Sequence, residues 1–164
     1  MAAEPPAATT VTTPSDREIV ITRAFDAPRR LVFEAWTTPE HVRRWYGIRG
    51  TTLSVCEIDL RPHGAWHYVI RGPDGAEYGF RGEYREIVPP ERLVYTEAYD
   101  VEGLRDHPSL VTVTFAEHAG RTTMTSVSLY ESAEYRDGHL ASGLEAGMVQ
   151  TLDRLAELLP TLRR

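Results

Sequence analysis

The stretch RAFDAPRRLVFEAWTTPEHVRRWYG, residues 23–47, decides the fold because it inserts two short helices into a chain otherwise rich in strands. Asp26 is a candidate N-cap and Pro28 suits the first helical position, so a helix is predicted to follow them. Thr38 and Pro39 repeat these signals and predict a second short helix. Neither helix is long enough to be stable alone, so both are expected to pack on a larger element.

Strand patterns flank these two helices. Residues 17–25 alternate apolar and polar side chains, which predicts a first strand. After the helices, turn signals rich in Gly and Pro separate runs of strand-forming residues, as in antiparallel hairpins. Six further strands are predicted, over residues 51–60, 65–71, 76–88, 92–101, 109–117 and 121–130.

A stripe of apolar residues at helical spacing ends the chain. It predicts one helix of about 20 residues, roughly 30 Å long, with Pro160 as its stop. The whole order indicates an α+β fold, in which a curved antiparallel sheet of about seven strands wraps around the long C-terminal helix. The stripe consists of Leu140, Leu144, Met148, Leu152, Leu155 and Leu159.

Composition restricts the class of protein. The 164 residues suit one domain, and the formal net charge of -6 disfavours nucleic acid and anionic membranes as partners. No apolar run approaches the roughly 20 residues of a membrane span, so we expect no membrane insertion and, by default, a cytoplasmic protein. The chain has no Lys and no Asn, which GC-rich bacterial coding would produce and which excludes a lysine Schiff base.

The chain divides into one domain with two tails. Residues 1–16 are rich in Pro, Ala and Thr and lack the features of a secretory signal, so a disordered tail is expected there. The folded domain is predicted over residues 17–160, followed by a C-terminal tail at 161–164. The single cysteine, Cys56, excludes an internal disulfide and is interpreted as a core residue.

His63 and His67 lie four positions apart in RPHGAWHY, residues 61–68, and raise the question of a metal site. On a helix this spacing would suit zinc, but here a turn precedes a strand. Positions four apart on a strand are about 13 Å apart, too far for one zinc ion. We therefore predict no metal and no cofactor, with His63 in the turn and His67 on the outer face of the sheet.

Two carboxylates, Asp59 and Glu83, are candidates for general acid–base catalysis together with the tyrosines at 68, 78 and 84. Burial inside a cavity would raise the pKa of either carboxyl group towards neutrality. The favoured alternative is that both carboxylates are solvated or paired with neighbouring arginines. No catalytic residue is assigned on this pattern.

One face of the central strands is aromatic. A hydrophobic core is the ordinary role of such a row, but buried tyrosine hydroxyls need partners, and an apolar cavity with a few hydroxyls suits a flat or lipid-like ligand. Trp45, at the end of the second helix, is expected to close the cavity mouth. The candidate cavity residues are Trp45, Trp66, Tyr68, Tyr78, Phe80, Tyr84, Leu144 and Met148.

The quoted stretch, with EIDLRPHGAW, GPDGAEYGFRGEYREIVPPERLVYT and VTVTFAEHAGRTTMT, resembles the SRPBCC superfamily. The branch is the one related to the C-terminal domain of the activator of the heat-shock ATPase chaperone. The resemblance implies a helix-grip fold, similar to START and birch-pollen-allergen domains, with a deep cavity under the C-terminal helix. The chain departs from the branch at His63, where glycine is usual, and at Met148, where tryptophan is usual.

Three functions follow as hypotheses. The first is non-catalytic binding of a small hydrophobic, aromatic or lipid-like molecule between sheet and helix. The second is a cyclase, dehydratase or hydrolase acting on such a molecule. The third, implied by the resemblance alone, is modulation of a chaperone ATPase, with the chaperone as a partner. The sequence leaves open whether the chain forms a homodimer.

Overall fold

The computed structural model describes residues 8–163 and has an α+β architecture. Eight described strands form one antiparallel sheet in the order β1-β2-β8-β7-β6-β5-β4-β3. Four helices accompany the sheet. The elements are β1 Thr10–Thr12, β2 Glu18–Phe25, α1 Arg29–Thr37, α2 Pro39–Trp45, β3 Thr52–Ile58, β4 Ala65–Arg71, β5 Glu77–Val88, β6 Arg92–Tyr99, β7 Ser109–His118, β8 Arg121–Leu129, α3 Ala133–Ala141 and α4 Leu144–Leu162.

The sequence prediction of a helix-grip order is confirmed, with two local differences at the start. Helix α1 has Pro28 as its N-cap, and no side chain caps it, so the assignment of Asp26 as N-cap is wrong. The disordered tail predicted for residues 1–16 is also wrong in part, because Thr10–Thr12 pairs with β2. Alternating β-branched residues suit such an edge strand. Residues 1–7 of that predicted tail lie outside the described residues.

The C-terminal region contains two helices where the sequence predicts one. Gly143 adopts a φ of 92°, a left-handed conformation that ends α3 and serves as the N-cap of α4. Helix α4 also continues past Pro160, so the predicted stop is wrong and part of the predicted C-terminal tail is helical. The Thr161 hydroxyl supports this last turn by donating a hydrogen bond to the Leu158 carbonyl oxygen, at 2.7 Å.

The main core lies between the concave face of the sheet and helices α1 and α4. Leu152 and Leu155 of α4 are fully buried against strand residues such as Ile19 and Phe115. A second cluster, which includes Val42 of α2 and Trp66 of β4, lies at the β3–β5 end of the same sheet. None of the described helices has the length and apolar character needed to cross a membrane.

Candidate ligand-binding cavity

A cavity of about 80 Å³ lies between the concave face of the sheet and helices α3 and α4. All three tryptophans of the chain contribute to its wall. The lining residues are Ile21, Trp36, Trp45, Tyr46, Trp66, Tyr68, Tyr84, Leu93, Tyr95, Glu97, Val111, Met124, Ser126, Ser128, Tyr130, His139, Leu144, Met148 and Thr151.

Strand alternation determines which side chains reach the cavity. On β6, Leu93, Tyr95 and Glu97 are two positions apart and therefore share the inward face. The same spacing on β8 places Met124 and Ser126 in the wall. Single strands therefore contribute apolar, aromatic and polar side chains to the cavity wall.

The aromatic section is a set of rings in edge contact. The Trp66 ring centroid lies 4.8 Å from that of Tyr68 and 5.7 Å from that of Tyr95. The Trp66 indole Nε1 donates a hydrogen bond to the Thr96 carbonyl oxygen at 3.0 Å, passing over Gly82. A Cβ on Gly82 would lie 1.7 Å from that oxygen and 2.5 Å from the indole nitrogen. Glycine at this position is therefore required for the Trp66 ring to occupy the wall.

Glu97 is the acidic group of the cavity wall. Burial raises the pKa of its carboxyl group to about 7. None of the described residues forms a hydrogen bond or an ion pair with this carboxyl group. Its charge in turn contributes to raising the pKa values of the Tyr46, Tyr95 and Tyr130 hydroxyls.

Tyr130 and His139 complete the polar section. The Tyr130 hydroxyl and the His139 Nδ1 share a short hydrogen bond, which links the end of β8 to α3. Burial lowers the pKa of the His139 imidazole, so this ring is neutral near pH 7. Helix α3 has no fully buried residue, and besides this hydrogen bond its Tyr135 and Leu140 pack against the main core.

Six of the eight predicted cavity residues lie in the wall, and two do not. Tyr78 is 47% exposed, and the Phe80 ring packs on Tyr99 with their centroids 5.3 Å apart. Both are near the β4–β5 hairpin, beyond the end of the cavity, so the aromatic face continues further than the cavity does. Trp45 does line the cavity, but it is only 2% exposed and its indole Nε1 donates a hydrogen bond to the Ala35 carbonyl oxygen. It therefore does not close the cavity mouth, contrary to what the sequence had led us to expect.

The carboxylates proposed from the sequence for acid–base catalysis lie outside the cavity. Asp59 pairs with Arg61 at 2.8 Å, and Glu83 pairs with Arg85 at 3.5 Å, which confirms the favoured alternative of solvated, arginine-paired groups. The carboxyl group inside the cavity is Glu97, which sequence reasoning missed. The sequence does contain an indication of this residue: Glu97 is an acidic residue at an inward position of β6, where Leu93 and Tyr95 are apolar and aromatic.

The two histidines of RPHGAWHY occupy different environments. His63 adopts a φ of 67° in the turn before β4, and its Nδ1 lies 3.2 Å from the Glu83 carboxylate. His67 is on the opposite face of β4 from Trp66, with its Nε2 at 3.6 Å from the Asp100 carboxylate. Within residues 8–163, no three potential ligand side chains are grouped closely enough to hold a metal ion.

Comparison with known proteins identifies relatives of the whole domain. The profile of a family described as "Activator of Hsp90 ATPase homolog 1-like protein" matches residues 26–160. A Rhodobacter sphaeroides protein of known structure is 26% identical, with a TM-score of 0.87, covering 94% of this chain and 99% of that one. A Mycobacterium smegmatis protein is 28% identical, with a TM-score of 0.83 and coverage of 96% and 100%.

A third solved structure shares the fold at lower identity. This Silicibacter pomeroyi protein, described as AHSA1, is 19% identical with a TM-score of 0.73, covering 89% of this chain and 99% of that one. Among curated protein sequences, none matches the chain.

Proposed function

The chain belongs to the Activator of Hsp90 ATPase homolog 1-like family of the SRPBCC superfamily, and we propose that it binds a small, largely apolar molecule in its cavity. The observation that carries the proposal is an internal space lined by three tryptophans and several tyrosines that the chain's own side chains leave unfilled. Native cores are close-packed, so a retained apolar cavity indicates a place for another molecule.

The cavity limits the size of that molecule. Its volume of about 80 Å³ is well below the roughly 300 Å³ of a pocket for a drug-sized ligand. An apolar cavity of about 150 Å³ holds one benzene ring, so even a single-ring ligand requires this cavity to enlarge. Displacement of helix α3, which has no fully buried residue, would enlarge it.

Calorimetric titration with single-ring aromatic compounds and medium-chain alcohols tests the proposal. Met148→Trp is expected to abolish binding, because the larger ring fills space that the methionine leaves in the cavity. Ala146→Trp adds the same ring at an exposed position of α4 and is expected to leave binding unchanged. Failure of the wild-type chain to bind any compound, or equal binding by both variants, would contradict the proposal.

General acid–base catalysis on the bound molecule is a second candidate function. Its support is Glu97, whose carboxyl pKa of about 7 suits transfer of a proton near neutral pH. Products formed from the bound compounds would be followed by mass spectrometry. Glu97→Gln should then stop turnover while binding persists, and the absence of any product would leave binding as the function.

Modulation of a chaperone ATPase rests on the family description, and no contact or surface of residues 8–163 favours it over ligand binding. It stays a prediction that ATPase rates with and without this chain would test. Cytoplasmic residence and a homodimer are likewise predictions from the sequence.

A further inference from the structure

We propose that the cavity selects cations: its ligand is a small apolar or aromatic molecule that carries a protonated amine, and this amine pairs with the Glu97 carboxylate. This inference rests on the proposed binding function and narrows the class of ligand that it takes. The carboxyl group is in the cavity wall, and the described part of the chain supplies it with no cationic partner. A buried carboxylate is stabilised by an opposite charge, which the ligand would bring.

The other polar groups of the wall favour the same class. They are hydroxyls and one imidazole: Ser126, Ser128, Thr151, Tyr130 and His139, together with the tyrosines near Glu97. Hydroxyl oxygens accept hydrogen bonds from an ammonium group, which has only donors. Burial lowers the pKa of His139, so its ring adds no positive charge that would repel an amine.

The aromatic rings next to Glu97 supply a second attraction. Tyr95 belongs to the same strand face as Glu97, and its ring contacts Trp66 with the centroids 5.7 Å apart. Tyr46 also lines the cavity and packs on Tyr68 with centroids 4.8 Å apart. Ring faces attract cations, so a carboxylate beside several rings is a suitable environment for an ammonium group.

Anionic ligands are disfavoured by the same geometry. Among the lining residues of the described chain there is no arginine, and the sequence has no lysine. A fatty acid or a phosphate ester would therefore bring its negative charge next to Glu97 with no cation to neutralise it. The lipid-like ligands considered from the sequence are thus narrowed to those without an acidic head group.

A series of three single-ring probes of similar size, one cationic, one neutral and one anionic, tests the inference. Titration of 2-phenylethylamine, 2-phenylethanol and phenylacetate at about pH 8 is expected to show the amine binding about 10-fold tighter than the alcohol, with phenylacetate weakest. Quenching of tryptophan fluorescence reports binding directly, because all three tryptophans line the cavity. In Glu97→Gln, the amine should lose its advantage and the alcohol should bind as before. Glu57→Gln, an exposed position with the same change of charge, is the control and should retain the advantage.

A pH series with the wild-type chain tests the inference without any variant. Affinity for 2-phenylethylamine should fall about 10-fold between about pH 8 and pH 6, because protonation of Glu97 competes with the amine. The tyrosine hydroxyls whose pKa values the Glu97 charge helps to raise, those of Tyr46, Tyr95 and Tyr130, keep their protons over this range. The affinity for 2-phenylethanol should not change.

The outcomes separate this inference from the proposed function. Equal affinities for the amine and the alcohol, or an amine advantage that survives in Glu97→Gln, would overturn the inference and leave binding of a small apolar molecule intact. Binding of none of the three probes by the wild-type chain would contradict both.

Discussion

Glu97 is a half-buried carboxyl group with no cationic partner among the described residues, and this has a consequence for stability. Its folded-state pKa is about 7, against 4.5 for an ordinary glutamate. Below about pH 4 both folded and unfolded chains keep the proton, so burial carries no ionisation penalty. As pH rises from 4.5 to 7 the unfolded chain releases its proton first, and the free energy of unfolding falls.

Glu97→Gln should therefore stabilise the protein in a pH-dependent way. The increase in the free energy of unfolding should be near zero at about pH 4 and reach up to about 3 kcal/mol at about pH 8, since each unit of pKa shift corresponds to about 1.4 kcal/mol. Urea denaturation at both pH values measures it, with Glu57→Gln as the control of equal charge change. A stability gain that is the same at both pH values, or a loss at pH 8, would contradict the burial of an ionisable group here.

Gly82 tests the position of the aromatic wall. Gly82→Ala should destabilise the protein by about 3 kcal/mol, because the added Cβ would collide with backbone oxygen and with the Trp66 indole. Gly138→Ala is the matched control: its Cβ meets no atom within 4 Å, and alanine favours the helix by up to about 1 kcal/mol. Thermal melts of both variants measure the difference. Wild-type stability in Gly82→Ala would show that Trp66 lies elsewhere.

Among the secondary-structure elements, helix α4 and strand β2 are joined by an ion pair. Arg23 of β2 is buried, and its Nη1 lies 2.5 Å from the Asp153 carboxylate of α4. Helix α4 covers the cavity, so this pair maintains the distance between the helix and the sheet. A second ion pair, between Arg49 and Glu157, differs from it because it lies at the surface with both side chains more than half exposed.

Asp153→Ala should cost about 3 kcal/mol of folding stability, because it leaves a buried guanidinium without its carboxylate. Glu157→Ala should cost less than about 1 kcal/mol, because an exposed ion pair is screened by water. Denaturant midpoints of the two variants provide the comparison. Equal losses of folding stability in the two variants would mean that Arg23 is solvated and that its ion pair does not hold α4 against β2.

The elements also show where sequence reasoning succeeds and fails. Strands β2 to β8 were predictable within a few residues because turn residues separate them and side chains alternate along them, whereas the three-residue β1 was missed. The break between α3 and α4 was missed because Leu140 and Leu144 keep helical spacing across it. Gly143 makes the break, and only its left-handed φ shows that it ends a helix.

For the whole molecule, the sequence indicated a cavity but not its polar section. The rings of Trp66, Tyr68 and Tyr84 were recognised from one aromatic strand face. Glu97 and His139 were not, because their positions in the cavity wall depend on how far the sheet curves and on where α3 lies. Those are tertiary properties, which no local pattern encodes.

The most direct test of the account is methyl NMR of the methionines. Met124 of β8 and Met148 of α4 line the cavity from opposite sides, and their signals can be assigned with Met124→Leu and Met148→Leu. Addition of 2-phenylethylamine or 2-phenylethanol should shift both signals in a saturable way. If neither signal moves up to the solubility limit of both compounds, the cavity does not bind small apolar molecules.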